Sequence, residues 1–192
     1  MKRLWTVAAL ALAAGGCLGP VEVSRSAWVV ESVVKPRAAV APLFEGDVKV
    51  MSVSVRPPYD GERIAVLRPD GTVAFDPLNV FAASPARMLA GPAADGLFAA
   101  GLFGRAFTAY SSAKTRYGLD MEVSKLALDC RDKGSRTATV ELSATLLDGR
   151  ECVAVGFGRG TCATDDGDYS AAFSDAFSAA FEAACRSLAD RR

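Results

Sequence analysis

Apolar and polar positions change period several times along the chain, and the changes mark its elements. Ala27–Val34, rich in Trp and Val, predicts a first strand, and Lys35–Asp47, broken by Pro36, Pro42 and Gly46, predicts an irregular loop. Val48–Val55 alternates with period two. Val48, Val50, Ser52 and Ser54 fall on one side and Lys49, Met51, Val53 and Val55 on the other, so both faces carry apolar residues, as a central strand requires. The run stops at Pro57-Pro58, which cannot donate ladder hydrogen bonds. Arg63–Arg68 and Thr72–Phe75 flank Pro69-Asp70-Gly71, a turn sequence between two β-prone runs, and so predict a hairpin.

The period then lengthens. Ser84-Pro85 suits a helix start, because Ser can cap free amides and Pro is tolerated at the first helical position. The helix is expected to run to Gly101, kinked or split at Gly91-Pro92, with Phe98, Leu102 and Phe103 burying its later half. A short strand is expected near Ala106–Tyr110. Three further runs, Met121–Asp129, Thr137–Leu147 and Cys152–Phe157, are separated by Arg131–Arg136 and by Asp148-Gly149, and form a meander. Tyr169–Asp190 is amphipathic with helical spacing at Phe173, Ala176, Phe177, Ala180, Phe181, Ala184 and Leu188. The sum is an α/β (α+β) two-layer sandwich, a mixed or antiparallel sheet with two main helices packed on it.

The N-terminus follows a different logic. Lys2 and Arg3 precede an apolar run from Leu4 to Ala14, about half of what a spanning helix needs, and Ala13-Ala14-Gly15-Gly16 then leads to Cys17. Residues 1–16 read as a lipoprotein signal peptide, with Cys17 the lipidated first residue of the mature chain and 17–26 its tether. An ordinary secretory signal with an incidental cysteine is the plainer alternative. The remaining 27–192 is enough for a single domain.

Composition narrows the chemistry. The 192 residues hold 22 basic and 22 acidic side chains, without the concentrated positive field that nucleic acid demands. With no histidine, the commonest general base and metal ligand is missing. No nucleophile elbow or phosphate loop is present. Gly156-Phe157-Gly158-Arg159-Gly160 lacks the Lys-Ser/Thr ending and reads as the frayed end of a strand. Asp165-Asp166-Gly167-Asp168 lacks the spaced ligands of a calcium loop and suits helix capping better. The reading is therefore no catalytic residues, no metal and no cofactor. Cys130, Cys152, Cys162 and Cys185 in an exported chain suggest structural disulfides. If strands one and three of the meander run the same way and the last helix returns across them, Cys130–Cys162 and Cys152–Cys185 fit best. Free buried thiols are the alternative.

One set of features is similar to a known family. Val53-Ser54-Val55-Arg56-Pro57-Pro58-Tyr59-Asp60, then Asp76-Pro77-Leu78-Asn79-Val80-Phe81 leading into Ser84-Pro85-Ala86, then Gly101-Leu102-Phe103, Leu126-Ala127-Leu128-Asp129 and Leu146-Leu147-Asp148 occur in order between a lipobox-like start and a closing amphipathic helix. This resembles the ABC-type transport auxiliary lipoproteins, the PqiC/YmbA-like group, over Ala27–Leu188. The resemblance implies a non-enzymatic lipoprotein at the periplasmic face of the outer membrane. It would assist an envelope lipid transport system made of an ABC permease and ATPase and an MCE-type protein, and a homo-oligomer is compatible with it. Leu18 is not the Asp that signals inner-membrane retention. Pro57, Pro58 and Tyr59, at a strand end, are candidates for partner docking, and turn formation explains the prolines equally well. An assembly or pilot lipoprotein of another outer-membrane complex is the second reading, and a carboxylate-dependent periplasmic hydrolase the third.

Overall fold

A computed structural model describes residues 24–31, 41–132, 134–164 and 168–190; the signal segment, Cys17, most of the tether and 165–167 lie outside them. The organising strand is β6 (Tyr117–Asp129), which is long enough to carry different neighbours along one edge. Its other edge is taken throughout by antiparallel β7 (Thr137–Asp148), from Tyr117 opposite Asp148 to Asp129 opposite Thr137. On the first edge, β2 (Val48–Val55) runs parallel to the first half of β6, and β3 (Arg63–Leu67) runs parallel to the end of it. Outside β2 lies β5 (Ala106–Thr108), parallel. Outside β3 lies antiparallel β4 (Val73–Phe81), and β1 (Ser26–Trp28) pairs parallel with the end of β4. β8 (Glu151–Ala163) closes the opposite side against β7. The result is the expected mixed sheet, here of eight strands.

Both predicted hairpins form. Arg68 and Thr72 close the first through a 2.9 Å backbone bond, with Gly71 at φ 82° and Asp70 accepting from the Thr72 amide and hydroxyl. The second turns at Gly149, φ 64°, between paired Asp148 and Glu151. Several strands differ from the expected runs: β6 begins at Tyr117, four residues before Met121, and β1 stops at Trp28. β2 carries a bulge between Val50 and Ser52, which resets the alternation so that Val53 and Val55 join Val48 and Val50 on the core side. An unbroken period of two had put them on opposite faces. β4 continues past Phe75 because Asp76-Pro77-Leu78 is absorbed in a register shift, where Asp76 Oδ1 accepts from the amides of Leu78 and Asn79. β8 continues to Ala163 through the glycines that had read as a frayed end.

Both helices cover one face of the sheet. α1 (Pro85–Ala99) runs unbroken through Pro92, so the proline removes one backbone bond without splitting the element. Ser84 occupies the cap position with no side-chain bond, and the helix ends two residues before Gly101, whose φ is 67°. Leu89, Ala93 and Leu97 are its fully buried stripe; Phe98, expected in the core, is 62% exposed because it lies one position, about 100°, off that stripe. Leu102 and Phe103 are buried as expected, and Phe44, Phe103 and Tyr117 form an aromatic cluster at 5.1–5.8 Å between centroids.

α2 (Tyr169–Ala189) begins at Asp168, whose side chain accepts from the Ala171 amide at 3.0 Å. Phe173, Phe177 and Phe181 are buried by it, each worth roughly 1.5–3 kcal/mol of transfer free energy. The helix lies on β8 through a matched set of small residues. A Cβ built on Gly156, Gly158 or Gly160 would stand 2.2, 1.8 or 1.9 Å from the carbonyl oxygens of Ala184, Ala180 and Ala176 respectively. No side chain fits there, and the helix runs antiparallel to the strand. Gly158→Ala should therefore destabilise the chain by at least about 3 kcal/mol in urea or thermal unfolding, more than ordinary overpacking, since backbone must move. Gly61→Ala, where a Cβ meets nothing within 4 Å, should stay within about 0.5 kcal/mol of the parent.

Candidate docking surface

With both helices on one side, the other sheet face has no layer over it among the described residues. Strand pairing fixes what it displays. Asp120 stands beside Thr145 and Val155, Glu122 beside Ser143 and Phe157, and Lys125 beside Glu141 and Arg159. Ser52 Oγ donates to Asp120 Oδ1 at 2.5 Å, Arg56 Nε donates to Glu122 Oε1, and Arg159 lies 3.6 Å from Glu141. Asp129 accepts from Arg131 through both its amide and its guanidinium and has Lys125 at 3.8 Å. A shallow groove of about 510 Å³ crosses this face between Arg56, Glu141, Ser143, Phe157 and Arg159.

Two of these pairings act on the pKa of the acid they hold. The Arg56 hydrogen bond holds the Glu122 carboxyl below its ordinary range, and the Arg131 hydrogen bond does the same for Asp129. Asp70 is lowered by its bonds from Thr72. Every described carboxyl with a displaced pKa is displaced downward, whereas a general acid needs the reverse. Among the described residues no group of three or more Cys, Asp or Glu is placed to hold a metal ion, and no helix is long and apolar enough to cross a membrane.

Pro57, Pro58 and Tyr59 sit at the β3 end of the same face. The Pro57-Pro58 bond is cis, and the Tyr59 amide donates to the Arg56 carbonyl at 2.9 Å, which closes a type VI turn. The prolines are exposed. Tyr59 is only half exposed, because its ring rests on Ala65, Leu67 and Ala127, a small apolar cluster on the helix-free face. Strand pairing sets Phe75 beside Ala65 and Val73 beside Leu67, and these two remain 37% and 41% exposed. The Arg63 guanidinium lies 4.9 Å from the Phe75 ring centroid. Turn and apolar surface are thus one feature, and the anchor is a patch of Tyr59, Val73 and Phe75 with two prolines at its rim. The sequence reading stopped at the turn; the alternation of Val73 and Phe75 was the signal for the rest.

The cysteines stand apart, all four as free thiols. Cys130 follows the last residue of β6, and Cys162 is paired with Ala138 of β7, so β7 separates them. Two strand spacings, about 9.6 Å, exceed the reach of a disulfide. Cys152 precedes Gly156, the residue level with Ala184, by four positions, roughly 13 Å of strand, and is exposed while Cys185 is buried. The expected pairs therefore do not meet. Desolvation raises the Cys130, Cys162 and Cys185 thiols, the last to about 12.

This arrangement of sheet and helices is found elsewhere. No sequence-family profile matches the chain, and no curated protein matches it. A crystal structure of a Xanthomonas campestris protein of the DUF330 family superposes with a TM-score of 0.64 at 21% identity, over 82% of this chain and 88% of that one. The fold is shared with a DUF330 protein. An uncharacterised protein superposes at 0.59 with 9% identity, over 87% and 97% of the two chains.

Thiol accessibility follows from the geometry. In the folded protein at pH 8, maleimide tagging should reach Cys152 first and leave Cys185 unmodified, since a thiol of pKa about 12 is about one part in ten thousand thiolate. Unfolding without reductant should then expose all four body cysteines to tagging, counted by mass spectrometry; a shortfall of two would mean that a bridge forms.

Proposed function

We propose that this chain is an outer-membrane-anchored periplasmic lipoprotein, acylated at Cys17, that serves as a non-enzymatic auxiliary component of an ABC/MCE-type envelope lipid transport system. The observation that carries the reading is the two-layer fold shared with a DUF330 protein over most of both chains, since DUF330 is the PqiC/YmbA-like family that the sequence resembles. The helix-free face supports a docking role. Glu122 and Asp129 are paired with cations that hold their carboxyls below the ordinary range, which suits a recognition surface and works against acid catalysis at those two groups. The partner's contact would centre on Tyr59, Val73 and Phe75, a partly exposed apolar centre ringed by Arg56, Arg63 and Glu122, as interfaces place an apolar core within a polar rim.

Crosslinking in intact cells, purification through a C-terminal tag and mass spectrometry should recover an MCE-type protein together with or without its transporter. Phe75→Glu should lower that recovery at least about fivefold while leaving the melting temperature nearly unchanged, because the side chain is partly exposed. Cys17→Ser should abolish incorporation of labelled palmitate and release the protein from the membrane fraction. Recovery of a secretion or assembly complex alone would replace this reading with the pilot one.

A further inference from the structure

We infer that the groove at the start of α1 binds a single-chain anionic amphiphile of the fatty-acid type, with the chain along its apolar walls and the carboxylate at Arg87. The groove measures about 360 Å³, within the range of small-molecule sites, and is lined by Val29, Ala82, Ala83, Arg87, Met88 and Tyr110. Four separate segments meet there. Val29 follows β1, Ala82 and Ala83 join β4 to α1, Arg87 and Met88 stand in the first turn of α1, and Tyr110 lies just beyond β5. The site shares no residue with the Tyr59 patch.

Hydrogen bonds fix the walls and leave their apolar parts bare. The Ala82 amide donates to the Trp28 carbonyl at 2.8 Å, and Ser170 Oγ donates to the Val29 carbonyl at 2.6 Å, so the end of β1 is tied from two sides. Tyr110 stands in a turn where the Ser111 amide donates to the Thr108 carbonyl at 3.0 Å and Lys49 Nζ donates to the Ser111 carbonyl at 2.8 Å. Val29 nevertheless stays 45% exposed and Tyr110 82%. Preformed walls of this kind lower the ordering cost of taking up a ligand. Charge then selects the headgroup. Arg105, Arg116 and Arg131 each lie 2.5–2.9 Å from a carboxylate, whereas Arg87 is exposed with no ion pair among the described residues. Among those residues no acid lines the groove, and none stands in the first turn of α1, whose dipole adds positive potential there. One free cation matches one carboxylate. The surface is concave, which suits a single chain; a bilayer would meet a protruding apolar face instead.

The inference does not rest on the transport reading, and its test is a titration of the purified protein. The chain from residue 17 with Cys17→Ser keeps every described residue, carries no acyl group and retains Trp28, beside Val29, as its sole tryptophan. Laurate below its micelle concentration should shift the Trp28 emission saturably, with a dissociation constant of about 1 mM or tighter. Dodecyltrimethylammonium should bind at least about fivefold more weakly, and acetate should give no shift. Arg87→Glu should raise the laurate constant at least about tenfold and reverse the preference between the two amphiphiles, while Arg87→Lys stays within about threefold of the parent. A merely structural role for Arg87 would not invert a headgroup preference. Circular dichroism would establish that the variants fold alike, as expected for an exposed side chain. No saturable shift with laurate, equal binding of both amphiphiles, indifference to Arg87→Glu, or a response to acetate matching that to laurate would overturn the inference. So would binding to phosphatidylglycerol vesicles without binding to laurate, which would make this surface a membrane contact.

Discussion

The contact on which the rest of this structure depends is between backbone and backbone, where the glycines of β8 meet the carbonyl groups of α2. At Gly156, Gly158 and Gly160 the position of a Cβ is taken by the oxygens of Ala184, Ala180 and Ala176. Two strand residues advance about 6.6 Å and four helix residues about 6.0 Å, so a strand repeat of two and a helix repeat of four stay nearly in step over three contacts. Each glycine hydrogen in place of a side chain points at a helix carbonyl, a weak C–H···O geometry that recurs at close approaches. Lowering the helix this far onto the sheet is what lets Phe173, Phe177 and Phe181 reach the centre of the core, where Phe173 meets Phe81 edge-on at 5.2 Å. A larger residue at any of these glycines would raise the helix and open the layer beneath it.

A second constraint is the division of one edge of β6 between β2 and β3. The two strands follow one another along that edge, and the interval between them, residues 56–62, holds the cis Pro57-Pro58 turn. The turn displaces the chain from the sheet plane and lays Tyr59 across Ala65, Leu67 and Ala127, which would otherwise be bare on the helix-free side. Fold and surface are here the same event. What shifts the strand from β2 to β3 also creates an aromatic platform on that face beside two partly exposed neighbours, Val73 and Phe75.

How far the sequence disclosed this varies with the range of the interaction involved. The two hairpins were legible because Pro69-Asp70-Gly71 and Asp148-Gly149 encode their turns locally, and α2 because its alanines, phenylalanines and Leu188 repeat at helical spacing from Phe173 to Leu188. The β2 bulge was not, since Met51 is an unremarkable strand residue; its displacement serves Gly118 across the pair, where Met51 Cγ lies within 3.0 Å of a built Cβ. The glycines of β8 misled in the same way. Read along the strand they lower its propensity, and only a second element, the alanines of α2 at matching intervals, explains them. The cysteine pairings were misjudged on distance and not on order, since the meander already put a strand between Cys130 and Cys162 and two strand spacings exceed the reach of a disulfide. Of the candidate surface, the turn was visible in Pro57 and Pro58, whereas its apolar floor required the pairing of β3 with β4 and β6.

The distribution of charge bears on what such a surface can do. On the helix-free face Arg56, Lys125, Arg131 and Arg159 each lie against a carboxylate of Glu122, Asp129 or Glu141, so opposite charges alternate and the local field nearly cancels. A face of this kind exerts little long-range attraction on a charged ligand, and mostly exposed pairs contribute little to stability on their own. Their effect is on selection. A partner that displaces water from Tyr59, Val73 and Phe75 must also leave these pairs satisfied, because a carboxylate stripped of its cation in a buried interface costs several kcal/mol. Recognition would therefore be set by geometry at the apolar centre and by tolerance at the charged rim, which is the division of labour expected of a scaffold that binds without performing chemistry.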